Sequence, residues 1–323
     1  LKVLGYDVYF LKRFMVIPFM LKHPSMFFAR VYNAFNLKKS KKFFTPVPYI
    51  VSDKRKERLV RFKSEHFKEK EYKTLDDWYI DVINNVIFVA GSDIIWNPAK
   101  GYPATSFLDF AYYAKLNRFS YASSVGAQEL PRKYYKAYKK YLGSMKGVSV
   151  REQAVANMFE PIIQKNVVKV LDPTFLLSRE YWEEFSKKAK IPVGINCSNF
   201  VLVYFVMEDP RYWDYVRKIK EQTGFKIIVL PMHHSDENQP FDIITDGTPY
   251  EFVWLIKNAC FVCTDSFHAC VLSIIFHIEF YLIRRKRKSE DDKYNDLLTR
   301  YHLSDRIVTN ETNFLRNEKV DYA

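Results

Sequence analysis

Short apolar runs of strand length alternate along the chain with longer segments whose apolar residues recur at helical spacing. The runs predicted as strands lie at residues 82–93, 119–126, 147–152, 167–174, 200–206, 225–230 and 260–263. The segments predicted as helices lie at residues 53–79, 134–142, 153–159, 180–190, 211–223, 249–258 and 267–276. This alternation predicts parallel sheets joined by helical crossovers, and therefore an α/β fold.

Small or charged polar residues follow the predicted strands. They are Ser92 with Asp93, Ser123 with Ser124, Arg151 with Glu152, Asp172 with Thr174, and Thr264 with Asp265 and Ser266. Ligands of open parallel sheets bind beyond the carboxyl ends of the strands. We therefore expect these residues to line one cleft between two sheets, although any one alone would be an ordinary loop.

The run FVCTDSFHACVLSIIF, residues 261–276, is apolar at both ends and polar in its first half. Buried polar groups need partners, and a strand-to-helix corner supplies them, with Asp265 or Ser266 as the helix N-cap. His268 then lies in the first turn, where amide groups and the helix dipole favour an anion. His268 is a candidate acid and base there. The alternative is a core histidine in a capped helix; the other polar strand ends favour the site.

Two successive sets of predicted elements indicate two domains. We assign residues 1–190 to the first, residues 191–290 to the second, and residues 291–323 to a helical segment that packs back across both. Residues 1–10 resemble a helix end, a glycine cap and a strand, so the first domain is expected to lack its first strand.

Lysine and arginine exceed the acidic residues by 50 to 37, a formal net charge of +13. This excess suits acidic partners such as phosphates, sugar nucleotides, anionic lipid or nucleic acid. Glutamates interleave the basic residues 54–73, which indicates a solvated helix face, and we predict no nucleic-acid partner. Residues 284–288 form the one unbroken basic block, RRKRK, which could contact an anionic membrane surface.

The four cysteines are too few for a disulfide scaffold in a chain of 323 residues, so a cytoplasmic location is expected. Cys260, Cys263, His268 and Cys270 superficially resemble a zinc site. However, residues three apart on a strand point to opposite faces, so we interpret these cysteines as buried structural thiols. No acidic cluster demands a metal, and we predict neither a metal nor a cofactor. No apolar run reaches the ~20 residues that span a bilayer, and no signal peptide is recognised.

Six short motifs occur in a fixed order along the chain. They are VAGSDIIWNP (89–98), FLDF (107–110), SYASSVG (120–126), SVRE (149–152), LDPTFLL (171–177) and CTDSFH (263–268). Together they resemble the polysaccharide pyruvyl transferase family, over residues 82–308. The resemblance implies two Rossmann-like domains facing across a cleft, similar to GT-B glycosyltransferases. It also implies transfer of an enolpyruvyl unit from phosphoenolpyruvate to two sugar hydroxyls, giving a pyruvate ketal.

The chain departs from the family at two places. An Asn-x-Gly-type loop, which usually follows the first strand of the family, is absent, and Ala269 stands where Gly is usual. The first departure concerns the part of the family fold on which acceptor binding and the first sheet depend. The second is a small change that a helix accepts readily.

The resemblance assigns His268 as the acid and base of the reaction. Arg151 is expected to bind the phosphate or carboxylate of the donor, or else to pair with Glu152 or another acid. Ser266 and nearby amide groups are expected to hold phosphate, while Asp265 caps the helix or orients His268. The remaining expected substrate-binding residues are Ser92, Asp93, Trp96 and Asn97, with Trp96 offering a ring to a sugar, then Ser123, Ser124, Asp172 and Thr174. Asp172 and Thr174 could equally shape only the turn at Pro173.

The main hypothesis is therefore a cytoplasmic enzyme acting on a sugar of a cell-surface polysaccharide precursor. A lipid-linked acceptor would suit the basic surface and place the enzyme peripherally at the inner membrane face. The rival hypotheses are a glycosyltransferase that uses a nucleotide-sugar donor and an inactive relic.

Overall fold

A computed structural model of the chain describes residues 52–67, 86–98, 104–192, 199–284 and 291–314. These residues divide into two compact units, each with its own parallel strands. The first unit holds the described residues between 64 and 173, and the second holds residues 52–63 and those from 174 onward. The predicted α/β class is confirmed, whereas the predicted arrangement of two domains across a cleft stays a prediction.

The first unit contains four short parallel strands. They are β1 (Phe88–Ala90), β2 (Arg118–Ser120), β3 (Ser149–Val150) and β4 (Val168–Lys169). β1 pairs with β2 and β3 with β4, and the parallel bridges Phe119–Gly147 and Ser123–Val150 join β2 to β3. Because the strands are parallel, their carboxyl ends lie at one edge, where the polar residues of the sequence motifs follow.

The helices of the first unit pack around an aromatic core. They are α2 (Asp109–Tyr113), α3 (Tyr135–Gly143) and α4 (Gln153–Ile163), with 3₁₀ turns at Ala104–Phe107 and Arg132–Tyr134. Trp96 stacks on Phe107, and the rings of Tyr138 and Phe159 pack against this pair. Aromatic side chains bury large areas each, so this cluster stabilises the unit.

The second unit is an open five-stranded parallel sheet in the order β7-β6-β5-β8-β9. Its strands are β5 (Phe200–Tyr204), β6 (Lys226–Val229), β7 (Asp242–Ile243), β8 (Phe261–Thr264) and β9 (Glu279–Leu282). The chain runs outward from β5 through β6 to β7 and then returns to β8 on the other side. The strand order therefore reverses between β5 and β8, at the position where open α/β sheets bind ligands.

Helices cover both faces of this sheet. They are α1 (Asp53–His66), α5 (Arg179–Ser186), α6 (Tyr212–Thr223), α7 (His234–Glu237), α8 (Pro249–Asn258), α9 (Phe267–Phe276) and α10 (Asp291–Arg300), with 3₁₀ turns at Pro173–Leu176 and Ser304–Arg306. Leu202 and Val262 face the core formed with α8, α9 and α10. Val201 and Cys263 face the core formed with α6. This alternation follows from the two-residue period of a strand and buries both faces of the sheet.

Helix α1 docks on the second unit through its basic residues. The Arg55 guanidinium donates to the Pro231 carbonyl at 2.8 Å. Lys54 pairs with Asp246 at 2.7 Å, and Arg58 lies 3.2 Å from Asp246 and also pairs with a wholly buried carboxylate, that of Glu251. The predicted solvated helix face is therefore wrong for Arg55 and Arg58, which are buried or half-buried against the second unit, whereas Lys54 is exposed as predicted.

The observed division of the chain differs from the predicted boundary at residue 190. It falls between Pro173 and Thr174, because α5 packs against α8 of the second unit. The Trp182 ring nitrogen also donates to the Thr174 carbonyl at 3.2 Å, which ties α5 to the residue where the second unit resumes. Strands β7 and β9 were not predicted from the sequence, since both are short and lie at the edges of the sheet.

The predictions for the missing first strand, for the helix beyond residue 67, for the start of the strand at 82–85 and for residues 285–288 of the basic block lie outside the described ranges. In the part of the chain that the structure describes, no helix has both the length and the apolar character that crossing a bilayer requires.

We expect Asp246→Asn to lower the free energy of unfolding by about 1–3 kcal/mol near neutral pH, because Lys54 and Arg58 lose their shared carboxylate. Burial acts to raise the pKa of Asp246, but Lys54 and Arg58 outweigh it and lower that pKa below its ordinary value. Such a carboxyl stabilises the fold above about pH 4 and loses this contribution as the pH falls. Urea unfolding over a pH series should show wild type and variant converging in acid.

The matched control is Asp214→Asn, because Asp214 is an exposed acid that pairs with Arg217 on α6. It should change stability by less than about 0.5 kcal/mol at each pH. Equal effects of the two substitutions would contradict the anchoring of α1 through Asp246.

Candidate functional site

The predicted strand-to-helix corner is present where β8 leads into α9. Ser266 is the N-cap of α9, in an extended conformation, and its hydroxyl accepts from the Ala269 amide at 3.4 Å. The Thr264 hydroxyl donates to the Tyr204 carbonyl at 2.5 Å and accepts from the Ser266 amide at 3.0 Å. Hydroxyl groups therefore satisfy the backbone of the corner, as expected for residues that cap helices.

His268 is the second residue of α9 and is half-buried. Its ring lies edge-on to the Phe267 ring, with 5.7 Å between centroids. Solvent therefore reaches part of His268, which argues against the alternative of a fully buried core histidine.

Asp265 joins the two strands that flank the reversal of strand order. Its carboxylate accepts from the Val206 amide at 2.6 Å and from the Met207 amide at 3.0 Å. The Tyr294 hydroxyl donates to its carbonyl at 2.7 Å. Ser266, not Asp265, holds the N-cap position. Because Asp265 is wholly buried and bonded to the backbone after β5, direct contact with a ligand does not fit its surroundings.

His233 also lies at this edge, although it belongs to none of the sequence motifs. It lies in the loop after β6, four residues beyond Val229, and its Nε2 lies 3.0 Å from the Val206 carbonyl. Ser235, two residues later, donates to the Glu208 carboxylate at 2.7 Å. The rule that polar residues follow strands would have identified His233, since residues 225–230 were predicted as a strand.

Arg151 is the centre of a buried ionic cluster at the carboxyl edge of the first unit. Its guanidinium donates to Asp172 at 2.8 Å and to Asp93 at 3.0 Å, and Glu152 lies 3.8 Å away. The Ser124 hydroxyl donates to Glu152 at 2.8 Å. The polar residues that follow β1, β2, β3 and β4 thus meet in one cluster within the first unit.

The charges of this cluster favour the ion-pair alternative for Arg151. Burial works to lower the pKa of Arg151, but Glu152, Asp172 and Asp93 together raise it. Three carboxylates surround one guanidinium, so an incoming anion would meet an excess of negative charge. Asp93 is the exposed member, with 61% of its side chain accessible, and it holds a left-handed backbone at φ 68°.

The remaining predicted residues of this edge are placed as follows. Ser123 is buried and its hydroxyl donates to the Ala90 carbonyl at 3.3 Å, while Ser92 and Asn97 are half-buried in the segment after β1. Trp96 is wholly buried in the aromatic core, and its ring nitrogen donates to the Ser106 carbonyl. The prediction that this ring is open to a sugar is therefore wrong. Thr174 is half-buried and belongs to the second unit, whereas Asp172 belongs to the first.

Cysteine and histidine residues do not form a metal centre in the described ranges. No group of three or more His, Cys, Asp or Glu side chains there could hold a metal ion. Cys263 and Cys270 pack in the cores on opposite faces of the sheet, and burial raises the pKa of the Cys263 thiol. Cys260 is exposed, so the prediction of a buried thiol is wrong there.

We expect Arg151→Met to lower the free energy of unfolding by about 3–5 kcal/mol, because buried carboxylates lose their shared cation. Thermal and urea unfolding would measure the change. Arg179→Met is the matched control, since Arg179 is an exposed residue paired with Glu183, and should cost about 0.5 kcal/mol or less. A cost for Arg151→Met as small as that of the control would contradict the cluster.

The family match agrees with the motifs. A sequence model of the family described as polysaccharide pyruvyl transferase matches residues 32–287, whereas a comparison with curated proteins found no match. Among solved structures, the chain is similar to the UDP-GlcNAc 2-epimerase of Neisseria meningitidis bound to UDP-GlcNAc. That similarity has a TM-score of 0.45 and 10% identity, and covers 79% of this chain and 76% of the epimerase.

The chain is also similar to the UDP-GlcNAc 2-epimerase of Methanocaldococcus jannaschii, with a TM-score of 0.43 and 12% identity over 78% of each chain. The family match covers well over half of the sequence. The chain therefore belongs to the polysaccharide pyruvyl transferase family and is a transferase enzyme.

Proposed function

We propose that this enzyme transfers an enolpyruvyl unit from phosphoenolpyruvate to two hydroxyls of a sugar, giving a cyclic pyruvate ketal and phosphate. One observation carries the proposal beyond family membership. His268 is partly exposed in the first turn of α9, beside the reversal of strand order in an open parallel sheet.

In this proposal the donor binds at the start of α9, within the second unit. Phosphoenolpyruvate carries a phosphate and a carboxylate, and the amide groups and dipole of a helix start favour such anions. In this proposal Ser266 and the first-turn amides hold the phosphate, with His268 beside them. Asp265 contributes by fixing the neighbouring backbone, not by meeting the donor.

The reaction needs proton transfers that one imidazole can perform in turn. The first sugar hydroxyl adds to C2 of phosphoenolpyruvate and loses its proton, while the C3 methylene gains one and becomes a methyl group. The second hydroxyl then forms a bond to C2 as the C2–O bond to phosphate breaks. Its proton leaves with the phosphate or with His268, so atoms and charges balance.

The carboxyl edge of the first unit, taken by itself, carries groups that suit a sugar, and we propose it as a sugar-binding surface. Sugar hydroxyls donate readily to carboxylates, and Asp93 presents an exposed carboxylate held by the Arg151 guanidinium. Ser92 and Asn97 flank it in the same segment. Arg151, Asp172 and Ser124 act in this proposal by holding Asp93 and Glu152 in place, which replaces the donor-binding role expected for Arg151.

The proposed acceptor is a sugar of a cell-surface polysaccharide precursor, in soluble or lipid-linked form. A net charge of +13 suits attachment to an anionic membrane surface, and hence a cytoplasmic enzyme at the inner membrane face. The engagement of Arg55 and Arg58 within the second unit argues against a nucleic-acid partner. No metal or further cofactor enters the proposed reaction.

The test is to incubate the purified protein with phosphoenolpyruvate or with sugar nucleotides, adding methyl hexopyranosides or a lipid-linked oligosaccharide extract as acceptor. We expect phosphate release and a pyruvylated product. His268→Gln should lower kcat by about 10²–10⁴-fold, the usual contribution of an acid–base group, with an unchanged melting temperature.

His234→Gln, a change of an exposed histidine, should leave the rate unaltered. Release of a nucleotide in place of phosphate would replace this proposal with the glycosyltransferase hypothesis. A large loss of stability in His268→Gln would show a core role for that residue.

A further inference from the structure

We propose that His233 is a positioning residue of the donor site, where it holds the backbone after β5 against the start of α9. The inference rests on the proposed function, since it takes phosphoenolpyruvate as the donor. It assigns a role to a side chain in the loop after β6, whereas His268 lies in the helix after β8, and no motif of the sequence included that side chain.

The backbone of Val206 is held from two sides. Its amide donates to Asp265, which follows β8, and its carbonyl lies 3.0 Å from Nε2 of His233, which follows β6. Val206 comes after the last residue of β5, Tyr204, so the strand ladder no longer fixes it. Asp265 and His233, from the segments that follow the two neighbouring strands, therefore replace the strand-to-strand hydrogen bonds at the point where the strand order reverses.

The bond requires a defined form of the imidazole. A carbonyl only accepts hydrogen bonds, so Nε2 of His233 must carry the proton and donate it to Val206. The carboxylate of Asp236 accepts from the amides of Met232 and His233 and so fixes the backbone that carries the ring. The Ser235–Glu208 bond joins the same two loops a second time.

The loop that carries His233 is anchored at its base by α1. Arg55, which is buried, donates to the Pro231 carbonyl at 2.8 Å, and its second terminal nitrogen lies 3.9 Å from the Met232 sulfur. Because Arg55 holds the loop at Pro231 and the His233 ring bonds to Val206, the segment after β5 has little conformational freedom. A ligand at the start of α9 then meets an organised surface and does not have to order the loop on binding.

Loss of the His233 donor should loosen this segment and weaken donor binding more than it lowers stability. His233→Phe keeps the ring volume and removes the donor. His233→Gln offers an amide N–H in its place. We expect His233→Phe to raise the Kd for phosphoenolpyruvate by about tenfold, and His233→Gln to keep it within about threefold of wild type.

The matched control is His234→Phe, the same substitution at the adjacent residue, whose side chain is 54% exposed. It should bind phosphoenolpyruvate as the wild type does. Calorimetric titration with phosphoenolpyruvate would supply the Kd values. Hydrogen exchange of the peptide covering residues 205–209 would report the loop without any ligand, and should be faster in His233→Phe alone.

The outcomes separate the two proposals. If the wild type does not bind phosphoenolpyruvate, the proposed function fails and this inference fails with it. If the wild type binds and His233→Phe binds equally well, the inference is overturned while the proposed function stands. Should His233→Phe not fold, His233→Asn replaces it, because its amide is too short to reach the Val206 carbonyl. Wild-type affinity in that variant would also overturn the inference.

Discussion

The hydrogen bonds from the Val206 and Met207 amides to the Asp265 carboxylate are the constraint on which the second unit depends. Parallel strands that diverge at a reversal of strand order leave their next backbone groups without ladder partners. A buried carboxylate can accept several amides at once, and bonds to a charged acceptor are stronger than neutral ones. One side chain therefore closes the gap between β5 and β8 and sets the direction in which α9 begins.

In the first unit, a buried cation and not a carboxylate holds the segments after neighbouring strands together. There a buried guanidinium collects carboxylates from the ends of neighbouring strands, and only Asp93 remains accessible to solvent. Burying one cation among several acids is tolerated because each charge has a partner. The two edges consequently differ in chemistry: one is a helix start with a partly exposed histidine, and the other presents an exposed carboxylate.

The helices and strands were predicted well wherever burial gives the apolar residues a clear helical or strand spacing along the sequence. The strand and helix around Thr264 to Phe276 follow the prediction because an apolar run interrupted by Asp-Ser has few other ways to satisfy its polar groups.

Trp96 was predicted wrongly because a motif shows that an aromatic ring is needed, but does not show whether the ring points into the core or towards a ligand. The partners of Arg151 could not be chosen from the sequence, since acids from three other strand ends were equally available. His233 was missed although it follows a predicted strand, and its partner, a backbone carbonyl, could not be identified from residue types.

The packing of α1 on the second unit has a consequence for how the chain is made. The ribosome releases residues 53–66 before it has made Pro231, Asp246 or Glu251, to which this helix docks. Domains usually fold as they emerge, N-terminal first. Here residues 53–66 cannot dock until the residues of the second unit that bind them have been synthesised. The unit that contains α9 therefore cannot be completed by any contiguous piece of the gene that starts after the first unit.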